Sequence, residues 1–175
     1  MDYSNSDKLI PDKTLAAVCG LFCPACSLYI GTHHAPQRLE AMAAQMGRPV
    51  EELYCDGCRS ERRSFYCRTM CGFKACAAEK GVEFCGECPD YPCQTLMNFQ
   101  SQMPHRLELW DNLAMIRKEG LDAWYSKMVD HYRCPECGAL NSAYDLLCPE
   151  CRHDPGNEFT ARHSAEIRRH LGLSR

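Results

Sequence analysis

No stretch of this 175-residue chain approaches the ~20 consecutive apolar residues that span a bilayer, so no transmembrane helix is expected. The opening residues, Met1 through Lys8, lack the basic segment and long apolar run of a secretory signal. Common catalytic motifs are missing too. There is no Ser-His-Asp order, phosphate-binding glycine loop, dinucleotide fingerprint or His-Glu-x-x-His helix. No catalytic residues are therefore expected, unless a metal or a thiol carries the chemistry. Large aliphatic side chains are sparse through the middle of the chain, although hydrophobic residues make up 45% overall. A core-poor segment needs staples, either disulfides or metals.

What fills that middle is cysteine, of which the chain has fifteen. The missing signal pattern points to the cytoplasm, where stable disulfides are rare. The count is odd, and many cysteines fall in C-x-x-C or C-x-x-x-C pairs, the spacing of a metal knuckle. A thiolate ligates when it is deprotonated and close to its neighbours, and a tight turn provides that closeness. Metal is therefore expected in place of disulfides. The formal net charge of −3 counts every cysteine as neutral. Four thiolates on one zinc carry about −2 overall, so a metallated chain is more acidic than that sum.

The expected fold is a small α-rich α+β domain stapled by metal, then a helical pair and a zinc ribbon. Residues 1–13 read as a loose tail, 14–103 as the cysteine-rich domain and 104–131 as the helical pair. Residues 132–153 read as the ribbon and 154–175 as a basic terminal helix. Leu15 to Val18 is expected to be a strand. Pro24 would open a helix with Cys23 as its cap and Gly31 as its stop. Leu39, Met42, Ala43 and Met46 recur at helical spacing between Pro36 and Gly47. Helices are also expected over Phe73 to Lys80, from Pro92, from Pro104 to Gly120, over Leu121 to His131, and over Thr160 to Leu171.

The surest site is at the C-terminal end. Cys134-Pro135-Glu136-Cys137 and Cys148-Pro149-Glu150-Cys151 are two near-identical knuckles, and together they present four thiolates to one tetrahedral ion. Structural zinc fits best, and iron in a rubredoxin-like site shares the ligand set. The first knuckle ends in Gly138 and the second in Arg152, which predicts a looser second turn. The loop between them, Ala139 to Leu147, has no Lys or Arg. A phosphate-binding surface needs such residues, so stapling or protein contact is the better reading.

Eleven cysteines remain, and eleven is four plus four plus three. Cys19, Cys23 and Cys26 form the group of three, with a spacing that can hold either a [4Fe–4S] cluster or zinc with a fourth ligand from elsewhere. His33 and His34 read as an exposed polar pair more readily than as that ligand. Cys55, Cys58, Cys67 and Cys71 form one group of four by sequence order, and Cys76, Cys85, Cys88 and Cys93 the other. Arg59, Arg62, Arg63, Arg68, Lys74 and Lys80 are interleaved with them. These cations suit the offsetting of thiolate charge better than a nucleic-acid patch. Phe65, Tyr66 and Phe73 read as core before they read as stacking platforms for bases.

The segments Cys19-Gly20-Leu21-x-Cys23-x-x-Cys26, Tyr54-Cys55-Asp56-Gly57-Cys58, Lys74-x-Cys76-Ala77-x-Glu79-Lys80-Gly81-Val82 and Cys85-x-x-Cys88-x-x-Tyr91-Pro92-Cys93 resemble a prokaryotic cysteine-rich family known as domain of unknown function 3795. The resemblance spans roughly residues 14–103 and includes all eleven cysteines. It implies metal binding by the cysteines and no assigned activity. Some members look similar further on, with a helix pair and then a ribbon.

The terminal helix carries Arg162, His163, Arg168, Arg169, His170 and Arg175 against Glu166, with Ala161, Ala165, Ile167 and Leu171 as its apolar side. It reads as a solvated helix packed on its own protein. Taken together, the sequence predicts a cytoplasmic zinc-binding adaptor whose partner is another protein, not nucleic acid. An iron–sulfur electron-transfer or redox-sensing protein using Cys19, Cys23 and Cys26 is the alternative. A thiol redox or metal-handling protein is the third possibility.

Overall fold

The computed structural model describes residues 10–173, and eight helices lie within them. Of the expected tail, residues 1–9 lie outside the described residues, as does Arg175. The helices are α1 Ser27–His33, α2 Pro36–Met46, α3 Phe65–Thr69, α4 Phe73–Lys80, α5 Gln94–Gln100, α6 Leu109–Glu119, α7 Leu121–Tyr132 and α8 Glu158–His170. Short 3-10 turns cover Lys13–Leu15, Cys23–Ala25, Val50–Glu52, Cys85–Glu87 and Pro104–Arg106.

The α-rich half of the expected class is present, and the β half is not seen among the described residues. The strand expected at Leu15 to Val18 is a single bridge from Ala16 to Phe22, and a second bridge joins Arg133 to Leu140. The reason is local. The chain turns back at once, with the Ala17 N–H donating to Leu21 O at 2.9 Å, and no further strand lies alongside.

Several boundaries shift for equally local reasons. Cys23 sits inside a 3-10 turn with Pro24, and Cys26, in extended backbone, caps α1. Gly31 does not stop α1, which runs on to His33. A Cβ at Gly31 would stand 3.0 Å from Leu39 Cβ and Cδ1, so the glycine serves the close approach of α1 and α2. Cys93 is extended and caps α5, which begins two residues after Pro92.

One core draws on both ends of the chain. Phe22 stands edge-on to Trp124 and Tyr125, at 5.8 and 5.1 Å, and stacks on Tyr132 at 6.0 Å. Tyr132 in turn stacks on Phe159 of α8 at 5.5 Å. Leu96, Leu109, Leu113 and Ile167 complete the cluster. The buried Trp124 indole N–H donates to Asn112 Oδ1 at 3.2 Å, which satisfies both polar groups. Leu39, Ala43 and Leu53 form a smaller core under α2.

The expected apolar side of α8 needs correction. Phe159, Thr160 and Ile167 are buried, whereas Ala161 and Ala165 are exposed and Leu171 is 46% exposed at the C-cap. The helix is kinked at His163 (φ −117°, ψ 21°), which redirects its apolar stripe.

Candidate metal centre

The ribbon is built from two turns of the same design. In the first, the Gly138 N–H donates to Cys134 O at 3.0 Å and the Cys134 N–H to Ala139 O at 2.8 Å. In the second, the Arg152 N–H donates to Cys148 O at 3.0 Å and the Cys148 N–H to His153 O at 2.9 Å. Gly138 and Arg152 hold matching left-handed backbones, with φ of 75° and 66°. The second turn is therefore as tight as the first, contrary to the sequence expectation. Arg152 accepts a conformation that costs a residue with a Cβ about 1 kcal/mol or more.

These turns bring Cys134, Cys137, Cys148 and Cys151 together, with all four sulfurs within 4.8 Å of one another. Cys134 and Cys151 Sγ are 3.5 Å apart, and Cys137 and Cys148 Sγ are 3.6 Å apart. Four ligands at the ~2.3 Å zinc–sulfur distance stand about 3.8 Å apart, so the four thiols already match a one-ion tetrahedron. A disulfide would need about 2.05 Å, and all fifteen cysteines are free. Cys134 and Cys148 are buried, and Cys137 and Cys151 are exposed.

Charge in this cluster is uneven. Burial alone would push the Cys148 thiol up, but the Cys151 backbone amide, the Asn141 side chain and the Glu150 amide outweigh it and bring the group to about 7. Burial and the neighbouring thiols push Cys137 up to about 12.

The ribbon loop is bolted to the rest of the molecule. Ser27 Oγ and Ser142 Oγ share a hydrogen bond of 2.7 Å, and Arg38 donates to both carboxylate oxygens of Asp145 at 2.7 and 3.2 Å. Tyr144 Oη meets His105 Nδ1 at 2.6 Å, and burial holds that imidazole down to about 3, so it is neutral. Asn141 Nδ2 donates to Gly156 O and Asn157 Nδ2 to Ser142 O, at 2.8 and 3.0 Å. Asn157 and Thr160 cap α8 reciprocally at the same place. Nothing in the sequence singles out Asn141, Ser142 or Asn157, because a polar loop residue looks solvated until its partners are known.

The N-terminal thiols fall into neighbourhoods that keep most of the sequence-order groups but add Cys23 and Cys26 to one and Cys71 to the other. The Cys58 N–H donates to Cys23 Sγ at 3.3 Å. Burial raises Cys26, and Cys55 raises it further; burial likewise pushes Cys67 up to about 12, helped by Cys55, Cys26 and Cys58. Cys23, Cys26, Cys55, Cys58 and Cys67 thus share one region. Cys85, pushed up to about 12 by burial, also feels Cys93, Cys76, Cys88 and Cys71. Cys19 lies between the two, raised by burial and then by Cys58, Cys85 and Cys71. Among the described residues, only the ribbon gathers three or more ligating side chains at one-ion spacing.

Several of the interleaved cations are engaged by partners within the chain, some of them at the surface. Arg59 donates to Ala16 O at 2.9 Å and Glu83 O at 2.6 Å, and its guanidinium lies over Phe84. Arg62 forks onto Asp56 at 2.7 and 2.6 Å, and Lys74 donates to Arg59 O at 3.3 Å. Lys80 pairs with Asp90. Arg48 covers the Phe65 ring at 3.6 Å, and Phe73 packs edge-on to Phe99 at 4.9 Å. His33 is exposed, stacks near Tyr29 and sits 3.1 Å from Asp56 Oδ1.

These features define a helical, cysteine-rich chain with one four-thiol group able to hold a metal ion. Residues 15–98 match the model of a family described as a protein of unknown function (DUF3795), which supports that family for the cysteine-rich segment. The ribbon lies outside the matched span. No curated protein and no solved structure matches the chain. No helix among the described residues is long and apolar enough to cross a membrane.

Proposed function

We propose that this protein is a cytoplasmic metal-binding adaptor, with structural zinc on Cys134, Cys137, Cys148 and Cys151. The convergence of these four sulfurs at one-ion spacing carries the reading. Zinc suits the site because a closed tetrahedron of thiolates satisfies it completely. The N-terminal cysteines are further ligands, with Cys23, Cys26, Cys55, Cys58 and Cys67 as one set. The hydrogen bond from Cys58 to Cys23 Sγ supports placing Cys23 in that set over a separate trio with Cys19 and Cys26. Arg59 and Lys74 bond to backbone oxygens and Arg62 and Lys80 pair with Asp56 and Asp90, which argues against a nucleic-acid partner. Met70 and Met97, 67% and 39% exposed, favour a protein partner, since methionine adapts to apolar contact.

Elemental analysis of anaerobically purified full chain tests the zinc. The ribbon should contribute one zinc per chain, lost on Cys148→Ser. A ribbon that binds iron alone, or no metal, would sink the reading.

A further inference from the structure

A cavity of about 520 Å³ opens between α4, the Cys85–Glu87 turn and α5, and five cysteines line it: Cys71, Cys76, Cys85, Cys88 and Cys93. They arrive on separate pieces of chain. Cys71 follows α3, its N–H bonded to Tyr66 O at 3.1 Å, and Cys76 lies within α4. Cys93 caps α5. Cys85 and Cys88 sit on a turn that is pinned at several points. The Cys85 N–H donates to Val18 O at 2.8 Å, and the Glu87 carboxylate accepts from the Glu83 and Phe84 N–H groups at 2.9 and 3.3 Å. Gly86 lets the turn lie against α6, since a Cβ there would meet Leu113 Cβ and O at 3.2 Å.

We propose that this cavity holds a polynuclear iron–sulfide cluster ligated by Cys76, Cys85, Cys88 and Cys93, with Cys71 left over beside it. The inference rests on the metal-binding reading and changes the kind of centre. The contrast with the ribbon carries it. In the same molecule the ribbon thiols converge at one-ion spacing, while the cavity thiols stand around an open space. A cluster places a different iron under each thiolate, so its sulfurs stand wider apart than four on one ion. The volume agrees, since it falls in the ~300–1,000 Å³ range of small-molecule sites and far exceeds the need of a single ion. Filling it with zinc alone would take several ions, each wanting four sulfur bonds. Five thiolates supply those only by extensive bridging, whereas inorganic sulfide supplies the missing bonds.

Assembly balances without an external oxidant. Two ferrous and two ferric ions, four sulfides and four cysteine thiolates give a cluster of charge −2, as four thiol protons leave.

The test is anaerobic reconstitution of the full chain with equal ferrous and ferric iron plus sulfide. Binding of about four irons and four sulfides per chain, with broad visible absorption, is expected. Alkylation of the unmutated holoprotein, followed by mass spectrometry, should find Cys76, Cys85, Cys88 and Cys93 shielded and Cys71 reactive. Cys88→Ser should lose most of the iron, while Cys137→Ser loses ribbon zinc and keeps iron. A colourless product, zinc in the cavity, or shielding at Cys23, Cys26, Cys55 and Cys58 alone would overturn the proposal. Zinc measured in the same sample separates this failure from failure of the ribbon reading.

Discussion

Arg152 shows how a single residue departs from its sequence pattern. It holds φ of 66° where the matching knuckle has glycine. Arg152→Gly removes the Cβ strain but frees the unfolded chain, and the first term is the larger at a left-handed position. Urea denaturation of the metal-loaded protein should show a net gain of up to about 1 kcal/mol, with zinc content unchanged. Gly31 is the opposite case. Adding a methyl group against Leu39 overpacks the α1–α2 contact, and Gly31→Ala should cost about 1–3 kcal/mol in the same assay. The knuckle cysteines were legible as single residues because C-x-x-C spacing is a local geometric statement. Gly31 was misread as a helix stop, because the residue it accommodates, Leu39, reaches it only through helix packing.

At the scale of elements, α8 is latched by charge. Glu108 Oε2 lies 2.7 Å from His131 Nε2, and Oε1 lies 2.9 Å from His163 Nε2. Arg162 and Glu158 flank the pair, and His131 Nδ1 is 3.3 Å from Glu158. Burial opposes ionisation of Glu108, but the hydrogen bonds and charges of His131 and His163 win and hold its carboxyl below the usual range. Its contribution is therefore present above the unfolded carboxyl value of ~4.3 and is lost as pH falls through the folded value. Glu108→Gln should lower stability by about 1–3 kcal/mol at neutral pH. That deficit should shrink as pH falls from the ordinary carboxyl value of ~4.3 through the lowered folded value, where the wild-type carboxyl also becomes neutral. A deficit that persists unchanged in acid would contradict the latch. The helix itself was legible in the sequence. Of its buried face only Ile167 was, because the kink at His163 breaks the periodicity that would carry the stripe to Ala161, Ala165 and Leu171.

Across the whole molecule, the ribbon is mechanically joined to the cysteine-rich segment through Ser27–Ser142 and Arg38–Asp145, and to the turn before α6 through His105–Tyr144. Loss of ribbon metal should therefore loosen more than the ribbon. After mild chelation, hydrogen exchange should rise in residues 134–153 and also at the start of α8, whose cap Asn157 is tied to Ser142. Exchange confined to residues 134–153 would show that the ribbon is an independent appendage. Arg38→Ala should reproduce part of the loosening with zinc still bound.

The sequence by itself determined most of the helices, the four ribbon cysteines that converge and the cysteine-rich character of the chain. Each rests on a short-range rule: apolar spacing of about 3.6 residues, capping at prolines and glycines, and two cysteines per tight turn. The tertiary structure alone decided where the N-terminal groups depart from sequence order. Cys23 meets Cys58 across 35 residues, and Cys71 joins Cys93 around one cavity. Spacing along the chain governs what one turn can gather, whereas grouping among turns depends on how α4, α5 and the Cys85–Glu87 turn settle against the shared core at Leu113.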